Sequence, residues 1–296
     1  MSRNLIRLIN SMQTAKLNRR HFLGSLALGA IASGLHAEAA PTPLKGTAIN
    51  HISYQSADYD KTRDFYVDLL GFQVSDEDDK QLYLWAGNRD MVISAKHSPP
   101  TTAPRMDHFG FTLEDYDMPT VKASLQDRGL PATLSQGDPH DPDGKNKTVF
   151  TRDPNGYTVQ LCPSWDATGK PAPVVSHSPM KAVGINHFSY QCADYKKTLD
   201  FYVQLLDAKV SSDDGKQAYL WLGDSFVWFR NSTSGSARPL IDYFAWTVAD
   251  WNANKVAAEL KHRSLEAQID PNGKSVLTKD LNGYPLLLCS KDFAKK

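Results

Sequence analysis

Apolar and polar side chains alternate along residues 48–56. His51, Ser53 and Gln55 fall on one face of an extended chain, and Ile52 and Tyr54 on the other. This period of two predicts a strand. The spacing then becomes helical, with Phe65, Leu69 and Phe72 on one side, and predicts a helix over 58–71. Short runs near 72–77, 80–86 and 90–96 predict three more strands. The order restarts with a strand at 106–114, a helix at 117–129 and strands at 132–136, 147–152 and 157–162. On two of these strands His108, Gly110 and Thr112 oppose Phe109, Phe111 and Leu113, and Thr158, Gln160 and Cys162 oppose Val159 and Leu161. The apolar faces can pack on the two helices, which leaves His51, His108 and Gln160 together on the other side. Asn155-Gly156 predicts a tight hairpin turn, because both residues tolerate positive φ. Tyr83 and Trp85, an aromatic pair on one strand, are candidates for substrate contact, with core packing the favoured expectation.

The whole βαβββ pair then recurs. Ile49-Asn50-His51-Ile52-Ser53-Tyr54-Gln55 returns as Ile185-Asn186-His187-Phe188-Ser189-Tyr190-Gln191, and Tyr83-Leu84-Trp85 as Tyr219-Leu220-Trp221, both at an offset of 136. Asp153-Pro154-Asn155-Gly156-Tyr157 returns as Asp280-Leu281-Asn282-Gly283-Tyr284 at an offset of 127, so loops shorten late in the second copy. The Pro-, Ser- and Gly-rich stretch 163–182 reads as a linker. The chain therefore divides into a leader (1–39), a first domain (40–162), the linker (163–182) and a second domain (183–296).

Charge supports setting the leader apart. The chain has 33 basic and 33 acidic side chains. Residues 1–39 hold Arg3, Arg7, Lys16, Arg19 and Arg20 against Glu38 alone, so the remainder carries 28 basic and 32 acidic groups, a net charge of −4. No basic block remains after residue 39, which argues against nucleic acid as a partner. Within the leader, Asn18-Arg19-Arg20-His21-Phe22-Leu23-Gly24 precedes an apolar run from Ser25 to Leu35 and a small-x-small cleavage site, Ala37-Glu38-Ala39. The arginine pair resembles a twin-arginine signal, which implies the Tat export machinery as a partner and a periplasmic or secreted product. The apolar run is about half the ~20 residues of a membrane span, so no stable membrane insertion is expected after cleavage. Cys162, Cys192 and Cys289 form an odd set that allows at most one internal bridge. They read as small buried apolar residues.

This order of elements resembles the vicinal oxygen chelate superfamily, which includes glyoxalase I, extradiol dioxygenases and bleomycin- and fosfomycin-resistance proteins. The resemblance implies an α+β fold of two tandem domains, each with two βαβββ modules forming a cupped mixed sheet with helices outside. It places His51, His108 and Gln160 at the family's three metal-ligand positions. Two histidines and a carboxylate suit Fe(II) or Mn(II), with Ni(II) or Zn(II) as the other candidates. Here Gln160 replaces the carboxylate, leaving a divalent ion its full charge and favouring an anionic chelating substrate. Ser94 stands where the glyoxalase branch has a further carboxylate. His140, Val149-Phe150 and Asp153-Pro154-Asn155-Gly156 approach the extradiol signature, with Phe150 at its tyrosine. This makes His140 the candidate acid or base, the alternative being a solvent-exposed turn histidine. In the second copy His187 survives, but Tyr243 and Leu287 replace the other two ligands, so that site reads as degenerate.

These readings imply an exported, divalent-metal-dependent enzyme, either a dioxygenase-like oxidoreductase or a lyase or isomerase, acting on a small, chelating, oxygen-rich substrate. The alternative is a metal-free small-molecule binding protein of the bleomycin-resistance type.

Overall fold

The computed structural model describes residues 41–77, 81–86, 92–97, 103–135, 147–164, 177–232 and 240–294. The leader, His140 with its loop, and most of the linker lie outside the described residues.

The first repeat runs β1 (Gly46–Ser56), α1 (Tyr59–Leu70), β2 (Gln73–Glu77), β3 (Gln81–Trp85), β4 (Val92–His97), β5 (Arg105–Leu113), α2 (Met118–Asp127), β6 (Thr133–Leu134), β7 (Val149–Arg152) and β8 (Thr158–Cys162). The second runs β9 (Ala182–Cys192), α3 (Tyr195–Leu206), β10 (Lys209–Asp213), β11 (Gln217–Leu222), β12 (Ser225–Asn231), β13 (Leu240–Val248), α4 (Ala253–His262), β14 (Gln268–Ile269), β15 (Ser275–Lys279) and β16 (Pro285–Cys289). These bounds follow the hydrophobic pattern to within a few residues. Each helix starts at an Asx side chain that accepts a backbone N–H of its first turn: Asp58, Asp117, Asp194 and Asn252. Gly71, at φ 69°, ends α1 in the left-handed conformation.

Each repeat forms one eight-stranded sheet, in the order β2-β3-β4-β1-β5-β8-β7-β6 and its counterpart β10-β11-β12-β9-β13-β16-β15-β14. The two βαβββ units meet at the sheet centre, where β1 and β5 pair antiparallel. Each of these strands also has a parallel neighbour, β4 beside β1 and β8 beside β5.

Ile52, Tyr54, Phe109, Phe111, Val159 and Leu161 are fully buried on the face expected for them. They do not pack only on their own helices. The apolar faces of both repeats build one continuous core. Phe109 meets Phe188 at 4.7 Å between ring centroids and Phe72 meets Trp246 at 4.8 Å, while Tyr202 of α3 lies 5.7 Å from Phe111. A separated repeat would expose these rings to water, at roughly 1.5–3 kcal/mol for each large side chain.

The repeated Asp-x-Asn-Gly-Tyr motif ties the halves together. Gly156 and Gly283 take φ of 86° and 85°, as the predicted turns require. The Asp153 carboxylate faces two ways. Its Oδ1 accepts the backbone N–H groups of Asn155 and Tyr157, both at 2.9 Å. Its Oδ2 accepts the hydroxyls of Tyr190 at 2.5 Å and Tyr202 at 3.0 Å, both from the second repeat. Asn155 Nδ2 donates across to Thr198 Oγ1 at 2.8 Å. The reciprocal turn places Asn282 Nδ2 2.9 Å from Thr62 Oγ1. Asp280 sits there beside Tyr54 and Tyr66 in a looser arrangement, with Asp280 Oδ2 and both phenol oxygens buried without a close partner. Burial keeps all four phenols well above their ordinary pKa, so they remain protonated donors. The Asp-Pro-Asn-Gly stretch that matches the extradiol signature therefore contributes its carboxylate to the junction between repeats. The three cysteines are free and buried.

Candidate metal centre

The site is built on the sheet face opposite the core, across β1, β5 and β8. Strand register sets two rows of side chains there. One includes Trp85, His51, Gly110, Gln160 and Phe150. The next includes Tyr83, Ser53, His108, Thr158 and Arg152. His51 and Gln160 thus flank Gly110, and His108 stands one step along. The two imidazoles meet edge to face with centroids 5.2 Å apart, and Gln160 lies within hydrogen-bonding reach of His51. All three side chains are at least nine-tenths buried. The structure therefore brings together the three ligand candidates read from the sequence.

Two β-bulges aim the histidines. Pairing of β1 with β5 slips between Ile49 and His51, which makes Asn50 an extra residue, and again at Asp107, which lies between the paired Met106 and His108. A bulge lets two consecutive side chains share a face. Each bulged residue can therefore hold the ring that follows it. Asn50 Oδ1 lies 2.8 Å from His51 Nδ1, and Asp107 Oδ2 lies 2.9 Å from His108 Nδ1. With Nδ1–H donated in this way, Nε2 of each ring is the lone-pair nitrogen. Gln160 is fixed similarly: its Nε2 donates to Thr148 Oγ1 at 2.7 Å, which makes Oε1 the amide atom that a metal would take.

Gly110 supplies the space. A β-carbon there would sit 2.5 Å from His51 Nδ1 and 3.1 Å from Nε2. Burial, followed by the neighbouring His108, lowers the His51 pKa well below its usual value, so the ring is in the neutral form a metal requires. Asp107 is held below the ordinary carboxylate range, chiefly by the His108 hydrogen bond. Gln55 Nε2 donates to its Oδ1 at 2.8 Å, and Lys96 Nζ stands 3.5 Å from its Oδ2.

The donor set of two neutral imidazole nitrogens and an amide oxygen fits a divalent transition metal. Among the described residues no group of three or more His, Cys, Asp or Glu side chains is placed to hold one, so the amide is integral to any site here. Sequence reasoning missed Asn50, Asp107 and Thr148. The available signal was an acceptor immediately before each histidine, Asn50-His51 and Asp107-His108, but its meaning depends on the bulges. It also misplaced Tyr83 and Trp85. Leu82 and Leu84 are in the core, and the two aromatics lie half-buried on the site face, because pairing with β4 sets them in the rows of His108 and His51.

The second repeat keeps the frame without the donors. His187 Nδ1 lies 2.8 Å from Asn186 Oδ1, and its Nε2 meets the Tyr243 hydroxyl at 3.3 Å. Ala245 occupies the position of Gly110 and Leu287 that of Gln160. The imidazole packs near-parallel against Phe226 and Phe293, at 4.5 and 4.7 Å, and burial pushes its pKa down to about 3. This cup is filled by aromatic packing.

Residues 48–161 match the model of the Glyoxalase/Bleomycin resistance protein/Dioxygenase superfamily, a span running from β1 into β8. The metallothiol transferase FosB of Staphylococcus saprophyticus is 28% identical over 116 residues, covering 38% of this chain and 75% of that protein. Among solved structures, the Mn(II)-bound glyoxalase of Novosphingobium aromaticivorans superposes with a TM-score of 0.67 at 15% identity, covering 84% of this chain and 83% of the other. The 2,3-dioxygenase LapB of Pseudomonas sp. KL28 gives 0.66 at 14%, covering 83% and 93%. Homoprotocatechuate 2,3-dioxygenase of Arthrobacter globiformis gives 0.67 at 15%, covering 85% and 81%. Family model and relative thus agree in a likeness of the first repeat to that superfamily, and the solved structures share the fold. The structural neighbours extend that fold to both repeats.

Proposed function

We propose that this protein is an exported divalent-metal-dependent enzyme whose metal is held in the first repeat by His51 Nε2, His108 Nε2 and Gln160 Oε1. One observation carries the reading. Each of the three side chains is tied at its far end, to Asn50, Asp107 and Thr148, and the three converge on the same buried face.

A bound divalent ion would act as a Lewis acid toward two vicinal oxygens of the substrate. The chain's own residues then define the rest of the site. Phe150, opposite Gln160 and edge-on to His108 at 5.6 Å, gives an apolar wall without an ionisable group. Tyr83 and Trp85 extend that face. Three neutral donors favour a substrate that arrives as an enolate, catecholate or similar chelating anion. The two-domain architecture leans toward dioxygenase-like chemistry, while Phe150 at the signature tyrosine leans toward lyase, isomerase or transferase chemistry. His140 remains the candidate acid or base of this reading. The twin-arginine leader supports export in the folded state by the Tat machinery and a periplasmic or secreted location.

The absence of a carboxylate from the donor set favours a second reading, a metal-free small-molecule binding protein. Metal analysis by mass spectrometry, on mature protein exported in its native compartment, separates the two. Near-stoichiometric iron, manganese, nickel or zinc that disappears in a His51→Ala/His108→Ala variant is the expected result. A folded wild type without metal would move the assignment to the binding protein.

A further inference from the structure

The two histidine supports differ in charge. Asn50 offers His51 a neutral amide, whereas Asp107 offers His108 a carboxylate. Asp107 is held on every side: Gln55 on Oδ1, and His108 and Lys96 on Oδ2. A carboxylate accepting Nδ1–H makes the imidazole a more basic ligand and fixes its tautomer. It also sets one negative charge a single ring's width from the position opposite Nε2.

The second repeat gives an independent indication of what this carboxylate is for. Asp242 lies in the matching bulge, between the paired Ile241 and Tyr243, and has the matching amide, Gln191 Nε2, at 2.9 Å. There Tyr243 has replaced the imidazole. Asp242 is instead ion-paired with Arg230 through Oδ2, and its Oδ1 is buried without a hydrogen-bond partner. A buried carboxylate oxygen without a donor is costly. In the bulge that no imidazole follows, one carboxylate oxygen is thus left without a donor. In the first repeat the competing cation is Lys96, which is 37% exposed and 3.5 Å away, so the charge is less neutralised there.

We infer that Asp107 is a positioning residue that restores, through His108, the negative charge Gln160 fails to bring to the metal. This inference rests on the metal reading proposed above. It makes the site a carboxylate-type centre whose charge lies one bond network further out.

The test is Zn(II) affinity of the mature protein, measured by competition with a chromophoric chelator. Asp107→Asn keeps an oxygen for His108 Nδ1–H and removes only the charge. It is expected to weaken Zn(II) binding by about 10- to 100-fold. Adding Gln160→Glu to that variant is expected to recover at least about tenfold, since the charge returns directly to the donor set. Asp242→Asn, the matched change in the second repeat, should stay within about threefold of wild type, since its carboxylate faces no metal donor. Circular dichroism establishes that each variant is folded. An Asp107→Asn variant that binds Zn(II) as tightly as wild type overturns the inference and leaves the metal site standing. A loss in Asp107→Asn that Gln160→Glu does not recover assigns Asp107 a purely structural role and also overturns it. A wild type that binds no Zn(II), Mn(II) or Fe(II) removes the metal reading itself.

Discussion

Replacing Gly110 by alanine tests the geometry of the site with one methyl group. The new β-carbon would lie 2.5 Å from His51 Nδ1, against an ordinary contact of about 3.5 Å, so the ring must move by roughly 1 Å. The second repeat indicates where it goes. Ala245 stands opposite His187 there, and that ring stacks on Phe226, its neighbour on the opposite side, while keeping its bond to Asn186. The fold therefore has a known way to accommodate the methyl. Overpacking costs about 1–3 kcal/mol, and removing a strand glycine returns roughly 0.5–1 kcal/mol, for a net loss of about 0–2 kcal/mol. At about 2–4 °C per kcal/mol for a protein of this size, the melting temperature should fall by no more than about 8 °C. Metal affinity should respond very differently. Ligand distances tolerate about 0.2 Å, so a 1 Å displacement removes His51 from the donor set. The loss should exceed the roughly 100-fold upper end seen when only a ligand's supporting partner is removed. Thermal denaturation and chelator competition on the same samples read both quantities. A folded Gly110→Ala protein with metal affinity within about threefold of wild type would refute the arrangement.

Further outcomes follow from the same contacts. Thr148→Val leaves the Gln160 amide free to turn over, and should weaken metal binding by about tenfold while costing about 1 kcal/mol in stability, read by the same two assays. Tyr190→Phe combined with Tyr202→Phe strips Asp153 Oδ2 of both donors across the junction. Denaturant unfolding should show a loss of about 1–3 kcal/mol or more, with metal affinity unchanged. His187 gives a pH signature. Its folded pKa of about 3 lies below the unfolded value near 6.5, so the unfolded chain binds the extra proton. Its contribution is complete above about pH 6.5 and is lost as pH falls toward 3, with a slope of up to about 1.4 kcal/mol per pH unit. His51 acts in the same direction in metal-free protein. His187→Phe, which keeps the ring stack, should flatten the stability profile over that window. An unchanged slope in a pH series of urea melts would contradict the burial of a neutral His187.

The sequence by itself determined the elements and the faces of the central strands. Alternation and helical spacing are local properties, so Ile52, Phe109 and Val159 could be assigned inward, and His51, His108 and Gln160 outward, before any pairing was known. The internal repeat fixed the twofold architecture for the same reason, since like sequences fold alike. What only the tertiary structure decided depends on register. The bulges at Asn50 and Asp107 exist only where β1 and β5 pair, and without them neither residue could reach the histidine beside it. The Asp153 turn reads as a hairpin in sequence, and its carboxylate gains a second role only when Tyr190 and Tyr202 of the other repeat arrive. Tyr83 and Trp85 were expected inside because aromatic strand pairs favour cores, but the β3–β4 register sets them on the site face. In the second repeat the two missing ligands were visible in sequence. The filling of the cup by Phe293, 106 residues from His187 along the chain, was not, because no local pattern records a contact that chain folding alone brings about.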